Sequence, residues 1–146
     1  MALSQKPPYA PLSELEMLVE KGEYTQAIRE AQLALEQGVP ADSVPLYLLV
    51  LGKAFLEEGD AEAARNQYQG VVDLVKGRGK VASLIRADAW NGLGEYYLKT
   101  GNWAKAMEYH RQALNVREAL LGVTAGKTAD SYNNLGNCFL ESGDYQ

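Results

Sequence analysis

Two side chains could carry nucleophilic or proton-transfer chemistry here: the single histidine, His110, and the single cysteine, Cys138. Nucleophilic catalysis needs a thiol or hydroxyl beside a base, and a metal site needs several His, Cys or carboxylate ligands converging. One imidazole and one thiol supply neither. Glu108, the acid nearest to His110 in the sequence, is two positions away and so belongs to another face of a helix. His110 itself falls in an apolar stripe with Trp103, Ala106, Met107, Ala113 and Leu114 at helical spacing, which marks a packing histidine. Cys138 takes a small-residue position inside its own helix. Trp90, Tyr97, Trp103, Tyr109, Tyr132 and Phe139 recur at the same spacing, as core and not as a cofactor cage. No catalytic residue, no metal site and no cofactor is expected, and the chain reads as a non-enzyme.

The elements that carry these residues declare themselves by repetition. The phrase Leu-Gly-x-x-Phe/Tyr-Leu-x-x-Gly occurs as LGKAFLEEG from Leu51, LGEYYLKTG from Leu93 and LGNCFLESG from Leu135, each copy 42 residues after the last. A fixed period in this range marks stacked units, none of which can bury its apolar face alone. Gly59, Gly101 and Gly143 close the phrases and read as turns between two helices, since Gly ends helices well and interrupts them badly. Gly52, Gly94 and Gly136 sit inside the first helices, which predicts a close approach that a side chain would block.

Composition narrows the function. The chain has 146 residues, 23% charged and 47% apolar, with a net charge of −5. That balance argues against nucleic acid, which needs a basic face. Lys76, Arg78 and Lys80 form a small basic cluster that reads as a solvated loop. There is no run long enough to insert in a membrane and no signal-peptide pattern, and one cysteine fits a reducing, cytoplasmic setting.

The best copy of the phrase places Trp90, Leu93, Gly94, Tyr97, Ala106, His110 and Ala113 in the pattern W-x2-L-G-x2-Y, A-x3-F, A, and so resembles the tetratricopeptide repeat (TPR) family. The copy before it offers Leu48, Leu51, Gly52, Phe55, Ala64, Tyr68 and Val71. The last supplies Tyr132, Leu135, Gly136 and Phe139. A weaker first unit has Ala27, Ala31 and Ala34, with Leu15 where the family has a small residue. The stretch VREALLGVTAGKTADSYNNLG resembles the longer 42-residue variety found in kinesin light chains, with both helices extended at their outer ends. The resemblance implies an all-α, right-handed solenoid of about three and a half helical hairpins. The units run over residues 10–41, 45–80, 84–122 and, as a half unit, 126–146, behind a flexible lead-in at 1–9.

The resemblance also implies a role: a protein-binding scaffold whose first helices line a concave groove. By register, Lys53, Leu56, Asp88, Asn91, Glu95, Leu98, Asp130, Asn133 and Asn137 face it. The wider set adds Glu16, Glu20, Glu57, Lys99 and Glu141, and its acids outnumber its bases. Such a groove suits a basic or amphipathic peptide or helix, with Leu56, Leu98 and Leu140 as an apolar seam and the asparagines holding its backbone. The carboxylate clamp of heat-shock co-chaperones is not reproduced: in one register its slots hold Leu12, Glu16, Val50, Asp88 and Gly92, and in the next Leu49, Lys53, Gly92, Asp130 and Asn134. The chain stops just after the turn of its fourth hairpin, as a fragment of a longer array would. Tyr132, Leu135 and Phe139 then form an open face through which two copies could pair as a homodimer. Self-assembly and a peptide-sensing regulatory domain are the alternative roles.

Overall fold

The computed structural model describes residues 7–143. They form α1 (Leu12–Glu20), α2 (Tyr24–Gln37), α3 (Val44–Glu58), α4 (Ala61–Leu74), α5 (Lys80–Lys99), α6 (Trp103–Leu121) and α7 (Gly126–Ser142), with a short 3-10 turn at Ala41–Ser43. No strand occurs among the described residues. Each helix packs on its neighbours in the chain, and the odd-numbered helices also touch in the order α1, α3, α5, α7. That is a helical solenoid of hairpins. Of the expected lead-in, residues 1–6 lie outside the described residues. Tyr9 packs edge-on to Tyr47 of α3 at 6.4 Å, and the Tyr47 hydroxyl donates to the Ala10 carbonyl at 2.9 Å.

The repeated phrase works as a turn device. Gly59 adopts φ +100°, and the Asp60 amide then reaches back to the Phe55 carbonyl at 2.9 Å. Gly101 and Asn102 repeat this, the Asn102 amide meeting the Tyr97 carbonyl at 2.8 Å. The next helix starts on the same residues: the Asp60 carboxylate accepts from the Ala63 amide, and the Asn102 carbonyl oxygen from that of Lys105. Such caps are worth about 1 kcal/mol each.

Between hairpins, one three-position slot recurs, built from a first helix, its own second helix and the next first helix. In the first slot Leu15, Ala31 and Val50 meet in one buried cluster. The second holds Gly52, Tyr68 and Gly92: a Cβ on Gly52 would lie 2.7 Å from the Tyr68 ring, and one on Gly92 only 2.3 Å away. The third holds Gly94 and His110, with Asn134 beyond them; a Cβ on Gly94 would lie 2.6 Å from the imidazole. So Leu15 does not disturb the first hairpin. Ala31 yields the volume that Tyr68 and His110 take in the later units, and glycine in turn yields to those rings. Gly136 departs from the expectation, because a Cβ there would meet nothing within 4 Å. Tyr68 and His110 come from the second helix of the same hairpin, and no helix follows α7 among the described residues.

The 42-residue period is absorbed unevenly. In the third hairpin the helices themselves are long, 20 residues for α5 and 19 for α6. In the second, α3 and α4 have 15 and 14 residues. There the remainder goes into the loop before α5, where Gly77 takes φ +96°.

Candidate peptide-binding groove

The first helices enclose a concavity of about 560 Å³, and Lys53, Asp88, Asn91, Glu95 and Asp130 all line it. These are five of the nine residues that the register assigns to the groove. Asn133 and Asn137 are exposed on α7, outside that concavity, and Leu98 is half-buried. Leu56 is a correction. It is 2% exposed and turns into the core of its hairpin, against Ala64, Tyr68, Leu93 and Tyr96. The apolar seam of Leu56, Leu98 and Leu140 is therefore not formed: one member is core, and Leu140 stands 59% exposed at the far end. The apolar part of the groove comes from Leu12, Val19, Leu46 and Leu49, in an adjoining hollow of about 420 Å³.

The charges are also arranged otherwise than the register suggests. Two cations enter the groove from outside the positions assigned to it. Arg117, on α6, is buried with 5% of its side chain exposed, and its guanidinium donates to Asp88 at 2.9 Å. It also donates to the Ser131 hydroxyl at 2.7 Å and the Lys127 carbonyl at 3.2 Å, which ties α6 to α7. Lys127 adds its ammonium to the same carboxylate at 2.8 Å. Asp88 is thus a clip between the third and fourth hairpins. Glu95 takes a hydrogen bond from Asn91 at 3.2 Å, and Lys53 stands 3.7 Å from its other oxygen and 3.3 Å from Glu57. Burial raises the Glu95 pKa, partly offset by Lys53.

These units match a known sequence pattern. Residues 16–78 and residues 85–146 each match a family model described as tetratricopeptide repeat. The chain belongs to the TPR family. No curated protein matches it.

Within this TPR array the two residues with reactive side chains are shut away. His110 is fully buried, and its Nδ1 lies 3.1 Å from the Asn91 carbonyl oxygen, which can only accept, so Nδ1 carries the proton. The same oxygen accepts from the Asn134 amide at 2.7 Å. The Asn91 oxygen is thus engaged twice within the fold, and its amide nitrogen once, with Glu95. Burial, and then the Arg117 charge, hold the His110 pKa down to about 4. Cys138 is fully buried and burial pushes its thiol pKa up, which suppresses the thiolate.

Of the face formed by α7, Tyr132 is 47% and Phe139 37% exposed, while Leu135 is half-buried. The Tyr132 hydroxyl donates to Glu118. Among the described residues no helix is long and apolar enough to cross a membrane.

Proposed function

We propose that this TPR chain is a non-catalytic, cytoplasmic interaction scaffold of the 42-residue subclass, whose groove receives a basic segment with apolar anchors. The observation that carries this is which carboxylates remain unclaimed. Asp88, Glu95 and Glu57 are held by Arg117, Lys127 and Lys53. Glu16, Glu20 and Asp130 line the same face, are exposed, and have no side-chain partner among the described residues. The paired charges cancel locally, and the free ones leave the rim negative beside the half-buried Leu12, Val19, Leu46 and Leu49. A complementary partner is steered by such a field.

The test uses a labelled peptide of alternating Lys and Leu, with a Glu/Leu peptide as its opposite, titrated by fluorescence anisotropy. The Lys/Leu peptide should bind, more weakly in high salt, and the Glu/Leu peptide should not. Changing Glu16, Glu20 and Asp130 together to Gln should weaken binding about tenfold, at roughly half a kcal/mol per exposed charge. The same change at Glu36, Asp73 and Glu108, on second helices, should leave it intact. Equal effects of the two triples would sink the reading.

A second reading rests on a separate observation, the exposure of Tyr132, Phe139 and Leu140 on α7. Two copies covering these faces would form a dimer. Sedimentation should then show mass rising with concentration and a Phe139→Asp, Leu140→Asp variant fixed as monomer; a native chain monomeric at every concentration removes this alternative.

A further inference from the structure

The slot between the second and third hairpins opens into the groove floor. Gly52 and Gly92 close on the Tyr68 ring from two helices, each too near for a side chain. Gly92 and Tyr68 both line the concavity. In the next slot Asn134 stands where Gly92 does, bonded to Asn91, and His110 is sealed. Tyr68 is 4% exposed, yet its hydroxyl makes no hydrogen bond among the described residues, and the oxygen is not sealed from solvent. A nearly buried phenol with an open oxygen at the bottom of a groove is an unfilled hydrogen-bonding position.

The carboxylates Asp88 and Glu95 line the concavity together with Tyr68, and Glu57 lies beside Lys53. Asp88 is filled by Arg117 and Lys127, and Glu57 holds Lys53. Glu95 has less. Its side chain is 27% exposed, Asn91 bonds one oxygen, and the other has only Lys53 at 3.7 Å, beyond hydrogen-bond length. A carboxylate oxygen with only a long ion pair and a phenol hydroxyl with no hydrogen bond therefore line the same hollow. A lysine of this chain is already beside them and has not closed on Glu95, because an ammonium is compact, strongly hydrated and drawn to the more exposed Glu57. A guanidinium is flat, carries five donors and gives up water more readily.

We propose that the Gly92 window is an arginine-anchor site, in which a guanidinium of the bound segment donates to the Glu95 oxygen that Lys53 only approaches and to the Tyr68 hydroxyl. This rests on the groove reading above and sharpens it: the rim attracts basic segments in general, and the window selects arginine among them.

The probes are the Lys/Leu peptide and its Arg/Leu counterpart, titrated against the full chain. The native chain should bind the arginine peptide about tenfold more tightly. Tyr68→Phe keeps the ring in its slot, and Glu95→Gln keeps the side-chain shape; each should bring that preference to about twofold or less. The arginine peptide should also move the backbone amide resonances of Gly52 and Gly92, and the lysine peptide should not. Equal affinity of the native chain for both peptides would overturn the anchor and leave the groove standing. So would a preference that survives both substitutions in folded protein. If neither peptide binds, the groove reading fails and the anchor falls with it.

Discussion

Tyr68 and His110 occupy the same place in successive hairpins, and the molecule finishes the two junctions in opposite ways. Around Tyr68 there are two glycines and an apolar cluster of Leu56, Ala64, Leu93 and Tyr96. Around His110 there are Asn91, Asn134 and the nearby Asp88–Arg117–Lys127 clip. One junction is held by shape, the other by hydrogen bonds and charge. The difference teaches that a repeat specifies backbone geometry and leaves each interface free in its chemistry. Shape tolerates no added atoms, whereas polar bonding tolerates no lost partner.

The largest test of that contrast removes a partner. Asp88→Ala should cost about 4 kcal/mol in urea unfolding, because it leaves the buried Arg117 guanidinium uncompensated. Replacing both members, with Asp88→Leu and Arg117→Met, should recover most of the loss; a double variant as weak as the single one would show that the clip is not a pair.

Protons probe the same junction next. Since the folded-state pKa of His110 is depressed, from 6.5 to about 4, the unfolded chain takes up a proton first as pH falls. The stability tied to the neutral ring is complete above about pH 6.5 and drains away between there and pH 4, by up to about 3 kcal/mol. Glu95 titrates with the opposite sign, so the quantity to measure is the difference between the native chain and His110→Phe across that window. A flat difference contradicts the buried neutral imidazole.

Adding atoms tests the shape-held side. Gly92→Ala should cost about 2 kcal/mol, because the ring it meets is hemmed in by Gly52 opposite. Gly136→Ala, with open space around it, should instead gain up to about 1 kcal/mol from helix propensity. The two changes have the same chemistry and opposite expected signs in thermal melts. The smallest effect belongs to Tyr68→Phe, expected within about 0.5 kcal/mol in stability, because the hydroxyl it removes has no partner to lose.

How much of this the sequence disclosed can be traced residue by residue. The hairpins were legible because turn glycines and helix-starting Asp60 and Asn102 act locally, and three copies in register leave little room for another fold. Gly52 and Gly94 correctly announced close approaches. The groove was only half legible. Leu56 was assigned to it by register, but α3 carries apolar residues on nearly all sides, so register alone could not say which face the core would claim. The partners of Asp88 lie 29 and 39 positions further on, and no local pattern says which long side chain will cross that span. Arg117 did leave a trace: it extends the buried stripe of Ala106, His110 and Ala113 by one more step, and a lone cation in an apolar stripe needs a partner.

The graded slots, with Leu15 against Ala31 in one unit and glycine against a ring in the next, make these hairpins non-interchangeable parts. A gene rearrangement that duplicated or reordered them would bring a leucine to where Tyr68 expects a glycine, or a glycine to where Ala31 leaves a hole. Each seam has its own key, and it is cut by complementary volume across three successive helices. An engineer lengthening this array should therefore copy a whole seam, both helices of one hairpin together with the first helix of the next, and not cut at the boundary between hairpins.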